Sequence, residues 1–156
     1  MMMTINQRTA LMIIFIVSLL TIIGAFLFQW AGYAPCPLCL EQRWAYYAVI
    51  PLSLIFIGIA RSNAGIARWG LLLIALILIA NSIFGIYHAG AEWKFWPGPS
   101  TCGGALGEGL PTLTNEPVVR CDEAAIRILG LSLAGWNAVI CAVLAVVALK
   151  GASRRG

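Results

Sequence analysis

Four long apolar runs divide this chain, and they restrict it to few folds. The runs cover approximately residues 9–28, 44–60, 69–87 and 126–149, and none of them contains an acidic residue. A helix rises ~1.5 Å per residue, so a run of roughly 20 residues matches the ~30 Å hydrocarbon core of a bilayer. The pattern predicts an all-α integral membrane protein, a four-helix bundle whose short connections make neighbouring helices antiparallel.

Composition also favours a lipid environment. The chain has 156 residues, of which 61% are hydrophobic and 10% are charged. A soluble domain of this length lacks the volume to bury so much apolar surface. The formal net charge is +4, but the basic residues lie scattered beside the apolar runs and form no stripe, which argues against a nucleic-acid partner. We treat residues 1–156 as a single membrane domain surrounded by lipid.

The segments between the runs differ in charge, and the difference predicts an orientation. The two termini and the second connection carry basic residues without any acidic one: Arg8, Arg61, Arg68, Lys150, Arg154 and Arg155. Every acidic residue falls in or beside the other two connections, at about residues 29–43 and 88–125. Because Lys and Arg concentrate on the cytoplasmic side, both termini are predicted to be cytoplasmic. The other two connections then lie on the outer side, and they are periplasmic loops if the membrane is a bacterial inner membrane.

The first periplasmic loop contains a C-x-x-C pair, Cys36 and Cys39, just before the second run. Two thiols at this spacing close a small, easily exchanged disulfide, and a helix N-terminus stabilises a thiolate. Arg43 follows four residues after Cys39, so both side chains can share one helix face. A fixed cation there stabilises a thiolate, or the negative charge that develops on an oxidant at the membrane surface. We interpret the pair as a redox centre; an inert structural disulfide and half of a zinc site are the alternatives.

The second periplasmic loop carries two further cysteines, Cys102 and Cys121. They enclose a segment rich in Gly and Pro, a composition that argues against much regular structure. A disulfide between them could staple this loop, but the loop has little core to staple. Thiol exchange with a protein partner is therefore the interpretation that we favour. Cys141, inside the fourth run, is expected to be a small buried apolar residue.

These features resemble the DsbB family of disulfide-forming membrane oxidoreductases. The C-x-x-C at residues 36–39, followed by Arg43, is similar to the family's C-x-x-C and arginine. The stretches at residues 87–92 and 96–99, ahead of Cys102, resemble one bacterial branch of the family. The similarity covers nearly the whole chain, because the four helices and the order of the two cysteine pairs agree as well.

The resemblance implies a protein-dithiol:quinone oxidoreductase that generates disulfides. Such an enzyme reoxidises a periplasmic DsbA-like thioredoxin-fold partner and passes the electrons to a membrane quinone, ubiquinone or menaquinone. Cys102 would form the mixed disulfide with the partner, and Cys121 would complete that exchange. The electrons would then reach the pair formed by Cys36 and Cys39.

The same resemblance implies how the quinone is held. Cys39 would contact the quinone ring, and Arg43 would bind a quinone oxygen. His88, the only histidine, would lie near the ring. No metal ion is expected in this arrangement.

The chain departs from better-known family members in two places. Pro37 lies inside the C-x-x-C and can shift the reduction potential of the pair. The second loop is short between its cysteines, which puts an amphipathic surface helix there in doubt.

A vitamin-K-epoxide-reductase-like enzyme is a less favoured alternative, because in such an enzyme the loop cysteines precede the C-x-x-C. Two alternatives without catalysis stay open: a metal-binding membrane protein with a four-cysteine zinc site, and a membrane protein in which both disulfides are structural staples.

Overall fold

The computed structural model describes residues 6–99 and 120–153 of the protein. Its helices are α1 (Gln7–Trp30), α2 (Pro37–Ile59), α3 (Ala64–Glu92) and α4 (Leu133–Ser153). A short antiparallel hairpin, β1 (Arg127–Ile128) and β2 (Leu131–Ser132), precedes α4. All four helices are long and apolar enough to cross a membrane. The predicted fold class, an all-α membrane bundle of four helices, is confirmed.

The helix α2 begins well before the predicted residue 44, and local chemistry explains the difference. Cys36 is the N-cap residue, and its sulfur accepts a hydrogen bond from the Cys39 backbone N–H at 3.2 Å. Pro37 occupies the first helical position, where its fixed φ suits a helix and no N–H is needed. About half of the predicted loop at residues 29–43 is therefore helical. This places Arg43 in the second turn of α2.

The helix α3 is also longer than the predicted 69–87. It starts at Ala64, where Asn63 caps it by accepting a hydrogen bond from the Ile66 backbone N–H at 3.0 Å. It ends at Glu92, one turn beyond the predicted boundary. His88 consequently lies inside α3, one turn before its end, and not in a loop. We call the end of the bundle where α2 begins and α3 ends the cysteine end.

The helix α4 begins later than the predicted residue 126, because the chain first forms the hairpin. Leu129 and Gly130 connect the two strands with φ angles of 52° and 86°, and two successive positive φ values are typical of tight hairpin turns. The Trp136 side chain fastens the hairpin to α4 by donating a hydrogen bond from Nε1 to the Ile128 carbonyl at 2.9 Å. The hairpin thus covers one side of the cysteine end.

Small residues bring α3 and α4 close together. An added Cβ on Gly85 would lie 3.0 Å from the backbone nitrogen of Ala138, and the Ser82 hydroxyl donates a hydrogen bond to the Ala138 carbonyl at 2.8 Å. Such small-residue contacts with a cross-helix hydrogen bond are typical of membrane helix pairs. The outward surface is apolar instead, with Leu76 and Ile83 both more than half exposed, as lipid-facing side chains would be.

Replacing Gly85 with valine is expected to lower the free energy of unfolding by about 1–3 kcal/mol, because the new side chain meets backbone atoms that cannot move aside. Gly58→Ala is the matched control, since an added Cβ at Gly58 meets nothing within 4 Å. Reversible unfolding in mixed detergent micelles measures both variants. A Gly85→Val protein as stable as the Gly58→Ala protein would contradict this packing.

Candidate functional site

The C-x-x-C pair occupies the first turn of α2, with both sulfurs present as free thiols. Cys36 is buried, with 3% of its surface exposed, whereas Cys39 is half-buried. A hydrogen bond with the Cys39 side chain raises the pKa of the Cys36 thiol above its usual range, and burial raises it further. The proton shared by the pair therefore stays on Cys36. Negative charge on Cys39 lies at a helix N-terminus, where backbone N–H groups stabilise it.

His88 contacts the C-x-x-C from α3. Its ring is almost fully buried, and Nε2 lies 3.5 Å from the Cys36 sulfur. On the other side of the ring, Nδ1 lies 3.0 Å from the side-chain nitrogen of Gln42. Because an amide nitrogen donates, Nδ1 accepts in this arrangement, and Nε2 carries the hydrogen that faces Cys36. Glu92, one turn further along α3, places Oε1 3.8 Å from Nε2.

Cys121 reaches the same cluster from the segment that precedes the hairpin. It is fully buried, it is disulfide-bonded, and it packs together with Cys36 and Leu38. Of the four predicted redox cysteines, the structure therefore brings together Cys36, Cys39 and Cys121, whereas Cys102 lies outside the described residues.

An ion-pair network holds the segment that carries Cys121. The Asp122 carboxylate accepts hydrogen bonds from Arg120 and from Lys94, which lies just beyond the end of α3. Arg120, and after it Lys94, lowers the pKa of the Asp122 carboxyl far below its usual range. The carboxylate stays ionised at neutral pH, so the network ties the residue next to Cys121 to α3.

A cavity of about 360 Å³ opens beside the C-x-x-C. Small-molecule sites commonly have volumes of ~300–1,000 Å³ and mostly apolar walls with a few polar groups. The apolar wall comes from α1, from the loop before α2, and from the hairpin and α4: Ile22, Ala25, Phe28, Tyr33, Pro35, Ile128, Leu133, Trp136 and Ile140. The polar groups include Cys39, Gln42 and Arg43. His88 is not among the described residues that line this cavity.

Arg43 is fixed at the cavity wall by neighbours on α1. Its Nη1 donates a hydrogen bond to Gln29 Oε1 at 2.8 Å, and Nη2 lies 3.5 Å from the Ala25 carbonyl. The guanidinium also stacks over the Phe26 ring, 5.0 Å from its centroid. A guanidinium has five N–H donors, so these contacts leave donors for a ligand in the cavity. The cation is buried, which strengthens its interaction with any anionic or polar ligand.

A second polar group lies deeper along the cavity wall. Tyr46 donates a hydrogen bond from its hydroxyl to Asn137 Oδ1 at 2.6 Å, and both residues line the cavity. Asn81 and Cys141 complete this buried cluster. The Asn137 Nδ2 group is buried and has no hydrogen-bond partner among the described residues. A buried N–H donor left unpaired costs about 1–3 kcal/mol, so Nδ2 is a natural donor for a ligand oxygen.

Sequence analysis did not identify Gln42, Glu92 and Asn137 as members of the site. A signal was present for Asn137, because an amide inside an apolar run usually marks a functional or helix-packing contact. Gln42 and Glu92 are ordinary near a membrane boundary. Their importance depends on which way α2 and α3 face, and the sequence pattern does not specify that.

In the reduced protein, a small alkylating reagent is expected to modify Cys39 at least about tenfold faster than Cys36. Cys36 is buried, and its raised pKa favours the protonated thiol, whereas Cys39 borders the cavity. Timed labelling with peptide mass spectrometry measures both rates, and the buried Cys141 serves as the internal slow reference. Equal rates, or faster labelling of Cys36, would refute this description of the pair.

Known proteins are similar to this chain over most of its length. The family described as "Disulfide bond formation protein DsbB" matches residues 7–150. Disulfide bond formation protein B 1 of Pseudomonas fluorescens is 32% identical, over 91% of this chain and 86% of the relative. Disulfide bond formation protein B of Azoarcus sp. is 28% identical, over 92% of this chain and 91% of the relative. Disulfide bond formation protein B of Pseudomonas syringae pv. tomato is also 32% identical, over 84% of this chain and 80% of the relative. No solved structure matches the chain.

Proposed function

This chain belongs to the family of disulfide bond formation protein DsbB, and from that premise we propose that it oxidises a periplasmic thioredoxin-fold dithiol and passes the electrons to a membrane quinone. One observation carries the proposal. The free thiols of Cys36 and Cys39 lie between a buried disulfide sulfur, that of Cys121, and an apolar cavity with a fixed arginine. Electrons can enter this pair on one side and leave it on the other.

The first half of the reaction is a series of thiol–disulfide exchanges. A partner thiolate attacks Cys102 of a Cys102–Cys121 disulfide, and Cys121 leaves as a thiolate. That thiolate attacks Cys36 of the oxidised C-x-x-C, so that a Cys36–Cys121 bond forms and Cys39 leaves with the electron pair. The second partner thiolate then releases Cys102, which attacks Cys121 and frees Cys36. The partner ends with a new disulfide, and the C-x-x-C ends as a dithiol.

Neighbouring residues assist these exchanges but are not themselves oxidised or reduced. His88 Nε2 donates a hydrogen bond towards Cys36, which favours sulfur in its anionic, departing form. The helix N-terminus favours the thiolate on Cys39. The burial of Cys36 and Cys121 in one cluster excludes water and competing thiols from the exchange.

The cavity fits a quinone head group by its chemistry. A quinone is a flat apolar ring with two carbonyl oxygens, and when bound it accepts two electrons and two protons. Arg43 would hold one carbonyl oxygen, and the unpaired Nδ2 of Asn137 would donate to the other. Cys39 lines the same cavity, so its sulfur is the group that faces the ring. His88 would act on the sulfurs from behind and not on the ring directly.

We also propose the orientation that the charges favour. The residues of the cysteine end would face the periplasm, and both termini would lie in the cytoplasm of a bacterium, because Lys and Arg dominate the termini and the connection between α2 and α3. A lipid-soluble acceptor would then reach the cavity from the bilayer, and a soluble partner would reach Cys102 from the periplasm.

Two alternatives without catalysis are less compatible with the described sulfurs. A four-cysteine zinc site needs Cys121 as a free thiolate, but Cys121 is disulfide-bonded. A purely structural role for the C-x-x-C needs a permanent disulfide, but Cys36 and Cys39 are free. Both observations favour a pair that changes its redox state.

The test is anaerobic quinone reduction by the purified protein in lipid nanodiscs. We expect one quinone to be reduced for each disulfide formed in a reduced thioredoxin-fold partner, with the quinone followed by its ultraviolet absorbance. Partner oxidation that leaves the quinone unchanged would refute the proposed acceptor. A partner that stays reduced would refute the proposed enzyme.

A further inference from the structure

A metal-ligand set coincides with the reduced redox pair. The sulfurs of Cys36 and Cys39 and an imidazole nitrogen of His88 all lie within 4.8 Å of one another. Two thiolates and one imidazole form three of the four ligands in a common type of zinc site. These residues come from α2 and α3, so helix packing and not a flexible loop brings them together.

The spacing matches the edge of a zinc coordination tetrahedron. With Zn–S of about 2.3 Å and Zn–N of about 2.0 Å, tetrahedral geometry separates sulfur and nitrogen by about 3.5 Å. The Cys36 sulfur and His88 Nε2 are 3.5 Å apart. A zinc ion could bind both atoms with little movement of either helix.

Glu92 supplies an independent observation at the same place. Its side chain is more than nine-tenths buried, Oε1 is 3.8 Å from His88 Nε2, and Oε2 has no hydrogen-bond partner among the described residues. Ser132 and Arg127 act on this carboxyl, but Oε2 itself has no donor in the described part of the chain, and a buried carboxylate oxygen without a partner favours a nearby cation. Carboxylate oxygen also completes zinc sites. Glu92 lies outside the set of mutually close ligand atoms, so it would become the fourth ligand by rotation of its side chain.

We propose that the reduced cysteine end binds one zinc ion through Cys36, Cys39, His88 and Glu92, and that disulfide formation at the C-x-x-C releases it. Binding displaces the thiol protons as the two Zn–S bonds form, and no electrons move. His88 would coordinate through Nε2 and carry its hydrogen on Nδ1. A rotated Gln42 amide would accept that hydrogen, and such a hydrogen bond typically orients a zinc-bound histidine.

The consequence for the enzyme is reversible inhibition. With both sulfurs bound to zinc, the C-x-x-C cannot give up its electrons, so the Cys36–Cys39 disulfide that Cys121 attacks is not regenerated. The inhibition rests on the proposed quinone reaction, whereas the metal site does not. Because only the reduced pair binds metal, excess zinc would hold the enzyme in its reduced, inactive form.

Cobalt titration tests the site without any turnover. We expect the reduced protein, freed of reductant under anaerobic conditions, to bind one Co²⁺ with thiolate-to-cobalt charge-transfer absorption, and Zn²⁺ to displace it. The same protein with an oxidised C-x-x-C should lack that absorption, a comparison that needs no substitution. His88→Ala should weaken binding about a hundredfold or more and Glu92→Gln about tenfold. Cys141→Ser, which leaves all four ligands in place, should bind as the wild type does.

Two results would overturn the proposal. One is a reduced protein that binds no more cobalt than the oxidised protein. The other is a His88→Ala variant with the wild-type absorption and affinity, which would mean that the metal binds elsewhere or to the dithiol alone. Either result leaves the quinone reaction of the metal-free protein untouched, so the two proposals fail independently.

Discussion

Replacing Cys36 with serine is expected to abolish electron transfer to quinone, with turnover falling at least about a thousandfold. A serine oxygen cannot form a disulfide with Cys121, so electrons that enter at the second loop have no route to Cys39. The partner should still be able to attack Cys102. We therefore expect the partner mixed disulfide to form while quinone absorbance stays constant in the same sample.

The control is Gly58→Ala, near the opposite end of α2, where an added Cβ meets nothing within 4 Å. Its turnover should remain close to that of the wild type. The complementary experiment uses a partner that lacks its second cysteine, because no thiolate can then release Cys102. The partner thiolate should attack Cys102, with Cys121 as the leaving group, and remain there as a stable adduct that runs as one band on a non-reducing gel. Unaltered turnover in the Cys36→Ser variant would contradict electron transfer through the C-x-x-C.

Substitution of Arg43 is expected to weaken quinone binding and leave the thiol exchanges intact. A hydrogen bond to a charged group contributes about 1.5–3 kcal/mol, so Arg43→Leu should raise the KM for quinone roughly 10–100-fold, at about 1.4 kcal/mol per factor of ten. Arg43→Lys should have a smaller effect in the same direction, because lysine keeps the charge but lacks the planar array of donors. Steady-state kinetics with varied quinone measures the change.

A purely structural role for Arg43 would give a different pattern. Arg43 also binds Gln29 and the Ala25 carbonyl, so its loss could disturb the contact between α1 and α2. In that case the rate of partner oxidation measured without quinone would fall as well. Arg61→Lys, an exposed arginine at the opposite end of the bundle, is the control for arginine replacement. A KM for quinone that is unchanged in Arg43→Leu would remove Arg43 from the binding site.

Much of the fold could be predicted because membrane helices have a strong sequence signal. The number of helices follows from the lengths of the apolar runs, and lipid tolerates few other structures. The helix ends at the cysteine end could not be predicted in this way. Cys36 and Pro37 start α2 through capping chemistry, and Gly130 delays α4 by allowing a hairpin, so local effects override hydropathy at both places.

The site could be predicted in its residue types but not in its arrangement. The spacing of Cys36 and Cys39, with Arg43 one turn later, specifies one face of one helix. Contact between His88 and Gln42 joins residues 46 positions apart, and it depends on how α2 and α3 rotate against each other. The position of His88 behind Cys36, and not at the cavity wall, follows from that rotation.

We propose that oxidising equivalents pass between the two cysteine pairs through a bond from Cys36 to Cys121. A Cys39→Ser, Cys102→Ser double variant isolates this step. It removes the sulfurs with which Cys36 and Cys121 would otherwise form disulfides. After mild oxidation in nanodiscs, we predict a disulfide within one chain that links the peptides of Cys36 and Cys121 in the mass spectrum. If both thiols stay free, or if Cys36 pairs only with another molecule, the claim is contradicted.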